Sequence, residues 1–138
     1  MFKLREKTQV LSIFLILLFV FERVLKNFYF SSHKVFYNQY LAFNLYLGQG
    51  IFYLFFFLIF SLLIFFLILS FKKGKTLPFF SFGLIIIGAL SNFLDRLFYQ
   101  AVIDYWQIPL TIFNLADIYI LIGVILLFFL ALWKKEKF

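Results

Sequence analysis

The chain is 138 residues long, 65% apolar and only 14% charged, with no cysteine and a single histidine, His33. One domain spanning 1–138 is the natural reading of that length; disulfides, thiolate catalysis and cysteine-ligated metals are excluded, and a histidine-built metal site or Ser-His triad is disfavoured. A soluble fold of this size has too little interior for so much apolar surface, which makes lipid its solvent.

The net charge of +7 sits in three short basic clusters, not on one face. That distribution argues against nucleic acid and for membrane topology signals. The 25 phenylalanines carry no functional weight.

A bilayer core of roughly 30 Å needs about 20 apolar residues as helix. Four segments meet that demand: about 8–28, 51–71, 79–98 and 115–133. The first follows Lys3, Arg5 and Lys7, as a signal peptide would, but Phe21-Glu22-Arg23-Val24-Leu25 has no small-residue cleavage site, so a retained helix is expected. The N-terminal cluster, the Lys72-Lys73-Lys75 loop and the Lys134-Lys135-Lys137 tail all fall on one side of a four-span chain. That side holds nine of the 13 basic residues, so both termini are expected in the cytoplasm. Trp133 and Trp106 are expected as interfacial anchors on opposite sides.

The remaining polar features lie in the outer half. The connections Asn27 to Gly50 and Tyr99 to Phe113 both exceed the usual helix–helix link of about 2–8 residues. In the first, Val35 to Tyr40 has strand-like composition and Ser31-Ser32-His33 suits a turn; a surface sheet and an aromatic loop in the headgroups fit the composition equally. In the third span Asn92, Asp95 and Arg96 share one helix face through their i, i+3, i+4 spacing. They read either as a site facing the bundle or as a snorkelling anchor with no chemistry.

In Asn114-Leu115-Ala116-Asp117, Asn114 suits a helix N-cap and Asp117 a first-turn acid, an account that needs no function but excludes none. Asp104 has no such account. It sits in Ala101-Val102-Ile103-Asp104-Tyr105-Trp106 with no basic neighbour in sequence, where desolvation raises a carboxyl pKa. A second carboxylate beside it would leave one proton on two acids, the arrangement in which one takes a proton from water while the other donates to a peptide carbonyl. Asp104 and Asp117 are 13 residues apart, a spacing that permits the pairing.

Three segments resemble, in order, the signatures of bacterial lipoprotein signal peptidases (signal peptidase II). Gly88-Ala89-Leu90-Ser91-Asn92-Phe93-Leu94-Asp95-Arg96 resembles G-A-x-x-N-x-x-D-R, Val102-Ile103-Asp104-Tyr105 resembles V-V-D-F, and Phe113-Asn114-Leu115-Ala116-Asp117 matches F-N-x-A-D. The N-terminal half matches more loosely. Glu22-Arg23-Val24-Leu25-Lys26 is similar to D-Q-x-x-K, with Glu for Asp and Arg for Gln; Asn38 to Phe43 is similar to N-x-G-A-A-F, with the bulkier Tyr40 and Leu41 for Gly and Ala; Ser91 replaces a common Gly.

The resemblance implies an all-α membrane protein, a four-transmembrane-helix bundle with a small extracytoplasmic sheet between helices 1 and 2. It implies an aspartyl endopeptidase of the bacterial cytoplasmic membrane, its active site on the outer side. That enzyme cuts a lipid-modified prolipoprotein just before its diacylglyceryl cysteine, with no metal or other cofactor. Asp104 and Asp117 would be the catalytic pair, and Asn92, Arg96 and Asn114 its polar supports. Asn38 would contact substrate from the outer loop, and Asp95 and Glu22 would assist; Arg96 is alternatively a partner of Asp95. Membrane lipid is the expected surrounding, a monomer the expected state, and nucleic acid is not expected. The competing readings are a non-catalytic four-span transporter or accessory subunit, whose ionisable residues belong near the midplane, and a diverged paralogue.

Overall fold

The structure, a computed structural model, describes residues 2–39 and 48–135. Four apolar runs become four helices, α1 (Phe2–Ser31), α2 (Gln49–Lys72), α3 (Thr76–Tyr99) and α4 (Leu115–Lys135). All four are long and apolar enough to cross a bilayer. Each closes its own backbone hydrogen bonds, as a segment in lipid must. Serines inside them do likewise: Ser12, Ser61, Ser70 and Ser81 each donate the hydroxyl to the carbonyl four residues back.

The first three helices overrun the expected spans at both ends and α4 only at its C-terminal end, because a helix outlasts its apolar stretch wherever it finds partners. α1 continues through Glu22, Arg23 and Lys26, then stops where His33 takes a left-handed φ of 54° and Lys34 N–H returns to Tyr29 O. Ser31-Ser32-His33 is thus the expected turn. α3 ends the same way at Gln100, φ 58°, whose N–H reaches Arg96 O.

α3 is the hub and packs against α1, α2 and α4. A Cβ on Gly88 would lie 2.5 Å from Ala116 O, and one on Gly123 2.7 Å from Ser81 O, so these glycines set how closely α3 and α4 approach. Leu15, Phe79, Leu84 and Tyr119 form the buried core, and Tyr119 Oη donates to Leu18 O across α1 and α4 at 3.2 Å. α2 is the outlier. It meets α3 through ring contacts that include Phe56 stacked on Phe93 at 4.1 Å and Phe66 on Phe82 at 5.6 Å, and turns most of its apolar surface outward, as a lipid-facing helix does.

The short strands all lie at one end of the bundle. β1 (Phe36–Asn38) pairs antiparallel with β2 (Val102–Asp104), setting Phe36 opposite Asp104 and Asn38 opposite Val102. β3 (Trp106–Ile108) and β4 (Thr111–Phe113) form a hairpin closed by Pro109-Leu110. The small sheet expected between helices 1 and 2 is therefore corrected. Its strand is present, but the partner comes from the connection between α3 and α4, because three residues bury nothing alone and need a second edge. Tyr40 and Leu41 lie outside the described residues.

Candidate active site

Asp104 ends β2 and is 1% exposed, and among the described residues no cation forms an ion pair with it. Two side-chain amides hold it: Asn38 Nδ2 donates to Oδ2 at 3.0 Å and Asn114 Nδ2 to Oδ1 at 2.6 Å. Burial pushes its carboxyl up to about 6; the Asn38 and Asn114 hydrogen bonds and the Lys26 charge pull it down, and the Asp117 charge pushes it up further.

Asp117 is half-buried in the first turn of α4. Asn114 is that helix's N-cap: its Oδ1 accepts Asp117 N–H at 3.0 Å, and Asp117 Oδ2 accepts Asn114 N–H at 3.1 Å. This reciprocal capping box satisfies two backbone donors at the helix start. The capping account of Asn114 and Asp117 is therefore correct, and it leaves the other atoms of both residues available. Asp117 Oδ1 accepts Asn92 Nδ2 at 2.7 Å, while Asn114 Nδ2 reaches Asp104. One asparagine side chain thus joins the two aspartates. Asn92 Oδ1 also accepts Asn114 Nδ2 at 3.1 Å, which closes the set.

Tyr105 adds a second tie. Its hydroxyl oxygen accepts Leu115 N–H at 3.0 Å, and its ring stacks on Tyr29 at 4.5 Å. The segment carrying Asp104 is thereby fixed to the start of the helix carrying Asp117. Trp106, expected as an interfacial anchor, packs on Tyr105 and Phe113.

Asp95 is fully buried, so the snorkelling reading of the third-span cluster fails. Arg23 Nη1 donates to its Oδ1 at 2.6 Å and Lys26 Nζ to its Oδ2 at 2.5 Å. Its ion-pair partners thus come from α1, and the sequence neighbour Arg96 lies over the Phe52 ring at 5.1 Å. Adjacent helix residues point about 100° apart, which is why the Asp95–Arg96 pairing inferred from adjacency is displaced. Arg96 still faces the site closely enough for the charges of Asp104 and Asp117 to act on it.

Glu22 is 1% exposed and lies 3.1 Å from Lys26 Nζ, an ion pair whose angle is too poor for a hydrogen bond at Oε1. Its other oxygen accepts the Ser91 hydroxyl. Ser91 Oγ in turn accepts Arg23 Nη1 at 3.2 Å. Three departures from the resembled pattern, Glu22, Arg23 and Ser91, therefore touch one another. Lys26, which the sequence reading quoted without a role, sits at the centre: its ammonium also donates to Asn92 Oδ1 at 3.0 Å. Its signals in the sequence were the match to the Lys of D-Q-x-x-K and the i, i+4 spacing to Glu22.

Among the described residues no group of three or more His, Cys, Asp or Glu gathers at metal-binding spacing. The arrangement holds two carboxyls around one asparagine, Asp104 on the Asn114 side chain and Asp117 on its backbone N–H, with Asp104 pushed up to about 6. An open cleft of about 420 Å³ lies between Tyr37 and Asn38 of β1 and the β3–β4 hairpin, and it reaches this set of residues through Asn38.

Comparison with known proteins gives a consistent result. The family model for signal peptidase (SPase) II matches residues 6–133. The lipoprotein signal peptidase of Halothermothrix orenii is 39% identical over 102 residues, 72% of this chain and 68% of the relative. That of Streptococcus thermophilus is 40% identical over 91 residues, covering 60% and 58%. That of Caldicellulosiruptor bescii is 44% identical over 80 residues, covering 56% and 53%. The alignments thus span between about half and two thirds of these relatives. Two bacterial membrane enzyme structures solved by the in meso method share the fold. One has a TM-score of 0.76 at 23% identity, covering 94% of this chain and 91% of that one; the other has 0.69 at 24%, covering 90% and 93%.

Proposed function

This chain belongs to the signal peptidase II family, and on that premise we propose that it is an aspartyl endopeptidase working in the membrane, with Asp104 and Asp117 as its catalytic pair. The substrate is a prolipoprotein carrying a diacylglyceryl group on its cysteine, and the bond hydrolysed is the one before that cysteine. The observation that carries this reading is the shared asparagine: Asn114 donates its Nδ2 to the Asp104 carboxylate and its backbone N–H to the Asp117 carboxylate, while its Oδ1 accepts the Asp117 N–H. Two acids from separate elements are brought to one point, and burial keeps one of them protonated up to about pH 6. One carboxylate takes a proton from the attacking water while the other, protonated, donates to the scissile carbonyl. The cleft beside Asn38 suits an extended peptide, and lipid around the exposed faces of the helices suits the acyl chains.

Asn92 and Asn114 orient the pair. Asn38 faces Asp104 from β1, Asp95 and Glu22 brace α1 against α3, and Arg96 faces the site from α3. The basic clusters set the N-terminal segment, the α2–α3 turn and the C-terminal tail in the cytoplasm. That orientation puts the strands and both aspartates outside the bacterial cytoplasmic membrane. The chain acts as a single domain and a monomer. The acids gather at the end of the bundle where α1 and α3 finish and α4 starts, and not at mid-depth as a transport path requires.

The test is cleavage of a lipidated prolipoprotein by purified protein in detergent or vesicles. Asp104→Asn and Asp117→Asn should each lower kcat by about a thousandfold or more, with insertion intact. Wild-type turnover in either variant would sink the assignment.

A further inference from the structure

α1 carries neither aspartate of the pair, yet its outer end is charged and sealed. Glu22 and Lys26 are each 1% exposed, and their partners Ser91 and Asp95 on α3 are fully buried. With Arg23 the cluster sums to zero, two carboxylates against two cations. Burial of four charges costs more than well-packed apolar side chains would, so helix packing alone does not account for it.

The geometry shows what it reaches. An ammonium can only donate. Lys26 Nζ faces Asn92 Oδ1 at 3.0 Å, so the Asn92 amide must turn its Nδ2 the other way, and that Nδ2 donates to Asp117 Oδ1 at 2.7 Å. The flipped amide would set N–H against the ammonium and a carbonyl against the carboxylate, two repulsive contacts. The same ammonium holds Asp95 Oδ2 at 2.5 Å, and that oxygen also accepts the N–H of Ile103 at 3.1 Å. Ile103 directly precedes Asp104 in β2. One buried cation is therefore one side chain away from Asp117, through Asn92, and two residues away from Asp104, through Asp95 and the backbone of Ile103.

From this juxtaposition we infer that Lys26 is a positioning residue for the reaction, an ammonium on α1 that fixes the orientation of the Asn92 amide and the seat of β2 and so sets the two aspartates relative to each other. The inference rests on Asp104 and Asp117 being the catalytic pair. It assigns Lys26 a role beyond joining α1 to α3.

The experiment uses the full chain and the lipidated prolipoprotein assay. Removing Lys26 alone strands two buried carboxylates on Arg23, so the informative variant is Glu22→Gln/Lys26→Met, which leaves the neutral Arg23–Asp95 pair. It should insert and melt near wild type, with kcat lowered about tenfold or more and KM within about twofold. Glu22→Gln/Arg23→Gln, which leaves the neutral Lys26–Asp95 pair and spares the Lys26–Asn92 contact, should keep kcat within about threefold. In an Asn92→Leu background the Glu22→Gln/Lys26→Met double variant should cost clearly less turnover than it does in the wild-type chain, the remainder being the route through Asp95, a non-additivity expected of residues acting through one another.

Wild-type kcat in the double variant overturns the inference. So does a fully additive loss in the Asn92→Leu background, which marks a purely structural role. If the double variant fails to insert, wild-type kcat in Asn92→Leu alone overturns the relay. A wild-type chain that leaves the lipidated substrate whole, with its unlipidated form as control, fails the peptidase reading itself and takes this inference with it.

Discussion

Asp104 titrates where it does because almost no water reaches it and two amides, not a cation, hold it. Its folded value of about 6 lies above the ordinary 3.8, so the folded protein holds a proton there that the unfolded chain has released. Stability contributed by this group therefore falls as pH rises from about 4 to about 6. Asp104→Asn should remove that fall, seen as a flatter dependence of melting temperature on pH in detergent. A fall as steep as wild type would place the titration elsewhere. Turnover follows the same proton. With Asp104 as the acid, kcat should decline as pH rises through an inflection at or above about 6, since a seated peptide excludes still more water. The Asn38 hydrogen bond favours the ionised form, so Asn38→Ala should move that inflection upward. At this scale the sequence was a good guide to Asp104, whose apolar neighbours left it no local partner. It marked Lys26 through the D-Q-x-x-K match but not its contact with Asn92, because which amide oxygen an ammonium faces 66 residues away is a property of the packed helices.

The elements add what residues alone lack, a fixed distance between supports. α3 carries Asn92 and α4 carries Asp117, and the two helices meet at Gly88, where a Cβ would strike Ala116 O at 2.5 Å. That carbonyl is backbone and cannot swing aside, and it directly precedes Asp117. Gly88→Ala should therefore destabilise the fold by roughly 1–3 kcal/mol despite the better helix propensity of alanine, and lower kcat with it. Gly83 supplies the contrast. Its added Cβ meets Leu15 Cδ1, the far end of a flexible side chain. Gly83→Ala should shift stability by less than about 1 kcal/mol and leave kcat near wild type. Equal losses in the two variants, measured by thermal unfolding and turnover together, would remove the argument from close approach. The four helices were legible as apolar runs. The pairing of β1 with β2 was not, because strand composition in one connection says nothing about which distant edge completes it.

At the scale of the whole molecule the decisive question is which end of the bundle faces the cytoplasm, since a peptidase must meet its substrate where the substrate is. Nine of 13 basic residues, with only Glu6 and Glu136 as acids, belong to the end holding the termini and the α2–α3 turn. The other end holds Arg23, Lys26, Lys34 and Arg96 against Glu22, Asp95, Asp104 and Asp117, a balance of zero. Three of those cations are spent inside the protein, Arg23 and Lys26 on Asp95 and Arg96 beside the site, so few remain to hold that end in the cytoplasm. The chain has no cysteine, which makes single cysteines clean reporters. Leu110, 95% exposed at the β3–β4 tip, and Thr76, partly exposed at the start of α3, mark opposite ends. A membrane-impermeant maleimide added to intact spheroplasts should label Leu110→Cys and spare Thr76→Cys until the membrane is opened. The reverse pattern would put the aspartates on the cytoplasmic side, where a prolipoprotein awaiting cleavage after export cannot reach them. The charge asymmetry and the chemistry at the balanced end thus stand or fall on the same labelling.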